Sequence, residues 1–98
     1  MPLTDCVSFK AVIQRNRRIQ IPVLIRWRFK LEPGEIFKVD LRVGYPHEEF
    51  YARMSKDGRL TVPKVIAKEF LEDSEEESLS GYTAEVTLCP PWEEEEDE

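Results

Sequence analysis

The chain has 98 residues, of which 41% are hydrophobic and 35% are charged, and its formal net charge is −6. This length accommodates one domain rather than two, and the apolar content is sufficient for a core, which excludes a wholly disordered chain. No apolar run approaches the roughly 20 residues that cross a bilayer, and the N-terminus lacks the pattern of a secretory signal. The sequence therefore predicts a soluble, cytoplasmic protein without membrane contact.

The charge is unevenly divided along the chain. Residues 1–45 contain nine Lys/Arg and four Asp/Glu, which gives +5, whereas residues 46–98 contain five and sixteen, which gives −11. The last six residues, Glu93 to Glu98, contribute −6, so residues 1–92 carry no formal net charge. This asymmetry predicts a basic binding surface together with an acidic, disordered tail at 93–98. The high charged content and the scarcity of amide side chains are typical of a thermophile.

An internal repeat organises most of the chain. Residues 9–29, "FKAVIQRNRRIQIPVLIRWRF", align without a gap to residues 50–70, "FYARMSKDGRLTVPKVIAKEF", at an offset of 41. The match resumes at an offset of 47, which pairs Gly34 with Gly81, Val39 with Val86 and Leu41 with Leu88. The six extra residues of the second copy lie within "LEDSEEESLSG", which we interpret as a solvated loop because unpaired carboxylates are costly to bury.

Each copy begins with a predicted strand. Phe9, Ala11 and Ile13 alternate with more polar neighbours, which is the period of a half-buried strand, and the second copy repeats the pattern with Phe50, Ala52 and Met54. A hairpin turn follows, since Asp57-Gly58 is a preferred two-residue turn. Asn16-Arg17 occupies this place in the first copy, where an arginine would suffer a steric penalty at positive φ.

A second strand, a short helix and a last strand complete each copy. The second strands are indicated by Ile19 with Ile21 and by Leu60 with Val62. Pro22 and Pro63 suit the first turn of a helix. The predicted apolar helix faces consist of Leu24, Ile25 and Phe29 and of Val65, Ile66 and Phe70, with Trp27 covering the core. The last strands are marked by Phe37, Val39, Leu41 and Val43 and by Ala84, Val86 and Leu88.

Two such units together have enough strands to form a closed sheet, whereas one unit does not. One unit has three strands with exposed edges, whereas six strands can close into a small barrel. The repeat therefore predicts a mainly β fold with two short helices: a six-stranded β-barrel of two ββαβ repeats with pseudo-two-fold symmetry. Residues 1–92 form a single domain in this interpretation, with repeat one at 7–43, a linker at 44–49 and repeat two at 50–89.

The segment "GRLTVPKVIAKEF" (58–70) resembles the SpoVT/AbrB swapped-hairpin family, and "LEPGE" (31–35) is similar to the glycine-acid turn of that family. The resemblance covers roughly residues 7–89. Because both units lie in one chain, it implies a single-chain cradle-loop barrel similar to archaeal RIFT-type barrels, and we expect a monomer. In the second copy "SGY" replaces the glycine-acid pair, which predicts a turn without the usual side-chain hydrogen bond.

The sequence shows no catalytic set. His47 is the only histidine, and we find no phosphate-binding glycine loop and no spaced metal ligands. We therefore expect no enzymatic activity, no cofactor and no metal. For Cys6 and Cys89 the favoured interpretation is a pair of reduced thiols, and the alternative is a disulfide that joins the two ends of the domain.

The basic hairpin loops are the candidate DNA-binding site, formed by Arg15, Arg17, Arg18, Lys56 and Arg59. Arginine suits phosphate because its planar fork donates two parallel hydrogen bonds. In the resembled family arginines of this region contact DNA, which implies this role for Arg15, Arg18, Lys56 and Arg59. We predict an AbrB-like DNA-binding transcriptional regulator that binds double-stranded DNA weakly, through about four to six phosphates.

Two other interpretations stay open at this point. The first is a protein-interaction module without nucleic-acid binding, antitoxin-like or an adaptor, whose acidic tail docks on a basic protein partner. The second is the binding of a small ligand between the loops.

Overall fold

The computed structural model describes residues 3–72 and 78–92. The fold is mainly β with two helices, as predicted. The order β-β-α-β occurs twice: β1 Val7–Val12, β2 Arg18–Gln20, α1 Val23–Arg28 and β3 Ile36–Arg42, then β4 His47–Arg53, β5 Arg59–Thr61, α2 Lys64–Leu71 and β6 Thr83–Cys89. A short 3-10 turn, Arg15–Arg17, connects β1 to β2.

All strand pairs are antiparallel and form two sheets. The larger sheet has the order β1-β6-β3-β4, and the smaller one pairs β2 with β5. In the larger sheet Asp40 lies opposite Thr87, and in the smaller one Ile19 lies opposite Leu60. The predicted hairpin loops are present in both copies, since Gln14 N donates to Arg18 O at 2.7 Å as Ser55 N does to Arg59 O at 2.9 Å. The strands beside these loops do not continue as ladders, because β1 pairs with β6 and β4 pairs with β3. The second strand of each copy pairs with the second strand of the other copy.

The core lies between the sheets and collects residues from both copies. The predicted alternation in the last strands is confirmed, since Phe37, Val39 and Leu41 are fully buried. No polar or charged side chain is buried among residues 3–72 and 78–92. The other buried hydrophobic residues are Leu3, Ile13, Ile19, Ile21, Leu31, Phe50, Met54, Leu60, Val62, Ala67, Leu79, Ala84, Val86 and Leu88.

The helices contact the core less than predicted. Ile25, Phe29, Ile66 and Phe70 are partly buried and pack against the core, but Leu24 is 70% exposed and Val65 is 64% exposed. Trp27, predicted to cover the core, is also 70% exposed. Helices of six and eight residues reach the core through one narrow stripe at four-residue spacing, which leaves the flanking apolar positions in solvent.

The connections differ from the predicted ones at two places. The strand β4 begins at His47, inside the predicted linker 44–49, and the connection is closed by a bond of 3.1 Å from Val43 N to Pro46 O. The loop before β5 has three central residues rather than two, since Ser55 N donates to Arg59 O at 2.9 Å. Gly58, with φ of 77°, takes the last loop position, as is usual in three-residue hairpin loops.

The predicted glycine-acid turn is present at Glu35. Its carboxylate accepts hydrogen bonds from Glu32 N at 3.0 Å and from Leu3 N at 2.8 Å, which also holds the N-terminal segment. The corresponding turn of the second copy has no glutamate at this place. There the Ser78 hydroxyl accepts a bond of 3.0 Å from Ser80 N, so a different side chain supports that turn.

Cys6 and Cys89 form a disulfide, with their Cα atoms 4.2 Å apart. The favoured interpretation of two reduced thiols is therefore wrong. Val7 lies opposite Leu88 in the β1–β6 ladder, so the two cysteines are the next opposed pair along that ladder. The sequence placed them near opposite ends of the chain, and only the antiparallel pairing of the first and last strands brings them together.

The acidic insertion at 73–77 and the acidic tail at 93–98 lie outside the described residues. Within the described part of the chain, no helix has the length and apolar character needed to span a membrane. The same residues contain no group of three or more His, Cys, Asp and Glu side chains placed to hold a metal ion.

Candidate functional site

The five predicted basic residues do not form one cluster. Arg18 and Arg59 line one open cleft, and Arg15 and Arg17 line another. Lys56 is exposed in the turn before β5 and lines neither cleft. The predicted basic surface is thus divided into two sites with different chemistry.

The first site, which we call the arginine cleft, lies on the β2–β5 ladder and has a volume of about 240 Å³. Its charged groups are three guanidiniums and one carboxylate, which together give +2. Two hydroxyl groups add neutral hydrogen-bond donors. The lining residues are Arg18, Arg53, Ser55, Asp57, Arg59 and Thr61.

Strand pairing and side-chain bonds position two of these arginines. Arg18 lies directly opposite Thr61 in the ladder. Arg59 Nε donates to Gln20 Oε1 at 3.0 Å, and Gln20 Nε2 in turn donates to Asp57 O at 2.8 Å. Gln20 therefore orients the Arg59 guanidinium, and the bond to Nε leaves its two terminal nitrogens, Nη1 and Nη2, for a ligand.

The third guanidinium belongs to Arg53, which was not among the predicted site residues. Arg53 is the last residue of β4, and its Nη1 donates to Gly34 O at 3.1 Å. Its counterpart in the first copy is Val12, so the repeat does not show a basic residue shared by both copies at this position. Only the approach of β4 to the β5 turn places Arg53 beside Arg18 and Arg59.

Arg17 has a structural role that the sequence did not indicate. It lies at positive φ (61°), next to Asn16 at 63°, in the region where an arginine suffers a steric penalty. Its Nε donates to Val62 O at 2.9 Å, and its carbonyl accepts from Val62 N at 2.8 Å. These two bonds hold the loop against the start of α2 and offset the unfavourable backbone conformation, which costs roughly 1–2 kcal/mol.

Arg26 occupies the corresponding place in the other half of the molecule. Its Nε donates to Ile21 O at 3.2 Å, and its guanidinium lies against Gly58, where an added Cβ would be 2.5 Å from Arg26 Cζ. Gly58 O accepts from Ile21 N at 2.9 Å. Arg17 therefore extends from the β1–β2 loop to the start of α2, whereas Arg26 extends from α1 to the loop between β4 and β5.

The fold and the arginine cleft together define a small, β-rich protein with two helices and a basic surface site. No family model matches the chain, and no curated protein matches it. A solved structure described as the solution structure of PHS018 from Pyrococcus horikoshii is similar, with a TM-score of 0.70 and 22% sequence identity over 98% of this chain and 100% of that chain. At this level of identity the likeness shows a shared fold.

Proposed function

We propose that this protein binds double-stranded DNA through the arginine cleft and acts as an AbrB-like transcriptional regulator. The observation that carries the proposal is the convergence of Arg18, Arg53 and Arg59 on one open cleft. Guanidinium groups suit phosphate oxygens, and the hydroxyls of Ser55 and Thr61 extend the same donor surface. Asp57 lowers the net charge of the cleft and favours weak binding.

The proposal includes a six-stranded, single-chain cradle-loop barrel with pseudo-two-fold symmetry. Support comes from ladder pairs that join equivalent positions of the two copies, namely Ile19 with Leu60 and Asp40 with Thr87. Backbone bonds also recur in both copies: Gly34 N donates to Met54 O, and Gly81 N donates to Ile13 O, each at 2.8 Å. A pseudo-two-fold axis near Ile19 and Leu60 runs beside the arginine cleft, where basic side chains of both copies meet.

Replacement of Arg18 and Arg59 by Gln tests this function. We expect the double variant to bind a 30-base-pair duplex about 10- to 100-fold more weakly than the wild type at 50 mM salt, because each phosphate contact contributes through counterion release. The slope of log affinity against log salt should fall by about 0.9 for each arginine removed. Fluorescence anisotropy titrations at several salt concentrations measure both quantities.

The matched control is Arg28→Gln, which removes one exposed positive charge of α1 that lines neither cleft. It should change the affinity less than twofold. The proposal fails if the wild type shows no salt-dependent binding to duplex DNA, or if Arg28→Gln weakens binding as much as the cleft variant does.

The alternative function is a protein-interaction module, antitoxin-like or an adaptor. The observation in its favour is the exposed apolar face of α1, where Leu24 and Trp27 are each 70% exposed. Under this proposal, truncation after Trp92 removes the acidic tail and Trp27→Ala removes the aromatic side chain of the face, and each change should abolish co-purification of a protein partner. Unchanged co-purification in both variants would exclude these two surfaces.

A further inference from the structure

A second cleft lies between the β1–β2 loop and α2, with a volume of about 300 Å³. We call it the loop–helix cleft. Its lining combines charged and polar groups from the loop and from the turn before β6 with apolar groups from the helix and from that turn. The residues are Arg15, Asn16, Arg17, Ala67, Leu71, Ser78, Leu79 and Ser80.

The polar part of this cleft is rich in hydrogen-bond donors. The Arg17 bond to Val62 O uses Nε and leaves Nη1 and Nη2. The Ser78 hydroxyl accepts from Ser80 N, so its own proton is available to a ligand. Arg15 and Ser80 are exposed at the rim. Among the described residues no carboxylate lines the cleft, in contrast to the arginine cleft with Asp57.

The apolar part is formed by Ala67, Leu71 and Leu79, of which Ala67 and Leu79 are buried. Its openness follows from a difference between the two helices. At the position equivalent to Ala67, α1 carries Arg26, whose side chain extends to Gly58 and fills the space between helix and loop. In α2 the corresponding residue is Ala67, which is too short to reach the loop. The arginine between these two elements is Arg17 of the loop, and no long side chain at position 67 covers the helix wall of the cleft.

From this arrangement we propose that the loop–helix cleft binds a small organic monophosphate. Two guanidiniums and two hydroxyls on different elements suit the three outward oxygens of a tetrahedral phosphate better than a planar carboxylate. The apolar wall would receive the ring or alkyl part of the same ligand. This site is distinct from the proposed DNA site, and neither proposal depends on the other.

The charge of the neighbouring sequence favours a small ligand over a polyanion. Glu72 is exposed at the end of α2, directly after the cleft residue Leu71, and carries a negative charge. Repulsion from this charge grows with the charge of the ligand and is screened beyond roughly 8 Å at physiological salt. A single phosphate held at short range by Arg15 and Arg17 is affected less than a nucleic-acid backbone.

Titration with phenyl phosphate, followed through the backbone amide signals in NMR spectra, tests the proposal. We expect saturable shifts at Arg15, Arg17 and Ser80 and affinity about tenfold higher than for inorganic phosphate, because burial of the ring on the apolar wall adds hydrophobic stabilisation. Ser80→Glu introduces a carboxylate at the exposed rim and should weaken phenyl phosphate binding at least tenfold. Arg15→Gln should weaken it as well.

The matched control is Thr61→Glu, which places the same carboxylate in the arginine cleft. Thr61→Glu should leave the affinity for phenyl phosphate within twofold of the wild type and should lower the affinity for duplex DNA. Ser80→Glu should lower the affinity for phenyl phosphate and leave the affinity for duplex DNA within twofold. The proposal is overturned if phenyl phosphate produces no saturable shifts at the loop–helix cleft, or if Thr61→Glu and Ser80→Glu weaken it equally. Equal affinities for phenyl phosphate and inorganic phosphate would contradict the role of the apolar wall.

Discussion

Removal of the disulfide by Cys6→Ala with Cys89→Ala is expected to lower the free energy of unfolding by about 4.5 kcal/mol. The bridge joins residues 83 positions apart in sequence, and the entropy that a crosslink removes from the unfolded chain grows with the length of the closed loop. Small domains have unfolding free energies of roughly 5–15 kcal/mol. The variant should therefore lose a large part of its stability, as urea denaturation would show.

Alanine is a suitable replacement because Cys6 is exposed and Cys89 is only partly buried, so little packing is lost. The wild type denatured with an excess of dithiothreitol serves as the control and should match the double variant within about 1 kcal/mol. If the double variant is as stable as the oxidised wild type, the β1–β6 ladder alone holds the ends of the domain and the bridge contributes no net stability.

Gly58→Ala is expected to lower the free energy of unfolding by about 2 kcal/mol. A side chain at φ of 77° costs roughly 1 kcal/mol in backbone strain. The new Cβ would also lie 2.5 Å from Arg26 Cζ, which displaces the guanidinium and breaks its bond to Ile21 O. Because the displaced guanidinium belongs to a flexible, partly exposed side chain, it can be solvated, and the lost bond contributes about 1 kcal/mol. Thermal and urea denaturation measure the change.

Gly34→Ala separates the two contributions. Gly34 has φ of 91°, and an added Cβ there meets no atom within 4 Å, so this variant reports backbone strain alone and should cost about 1 kcal/mol. In an Arg26→Ala background the cost of Gly58→Ala should fall to the same value. Equal costs for Gly34→Ala and Gly58→Ala in the wild-type background would show that the Arg26 contact contributes nothing.

The unequal charge of the two copies now has a packing explanation. Arg17 is equivalent to Gly58, and Arg26 is equivalent to Ala67, in the repeat. Arginine bridges loop and helix once on each side, to Val62 O at 2.9 Å and to Ile21 O at 3.2 Å. Where the β1–β2 loop carries Arg17, the facing helix α2 carries the small residue Ala67. Where the β4–β5 loop carries Gly58, the facing helix α1 carries Arg26. Two of the extra charges of the first copy are therefore explained without an anionic partner.

The candidate site was predicted only in part. Arg18 and Arg59 were correctly grouped, because equivalent loop residues meet where β2 and β5 pair. Arg53 was not predicted, because it lies in the strand before the turn and its counterpart in the first copy is Val12, an uncharged residue. Arg15 and Arg17 were grouped with the wrong residues, because distance along the chain does not show that the loop turns towards α2 and the turn before β6.

The residue pattern alone established the order of strands and helices and most of the core. Alternation at Phe37, Val39 and Leu41 and the glycine and proline positions act locally, within a few residues, so they can be read directly. Tertiary structure decided what depends on distant neighbours: the pairing of β2 with β5, the disulfide, the exposure of Leu24 and Trp27, and the separation of the arginines into two clefts. These features arise from contacts between residues that lie far apart in the chain, and a local pattern carries no record of such contacts.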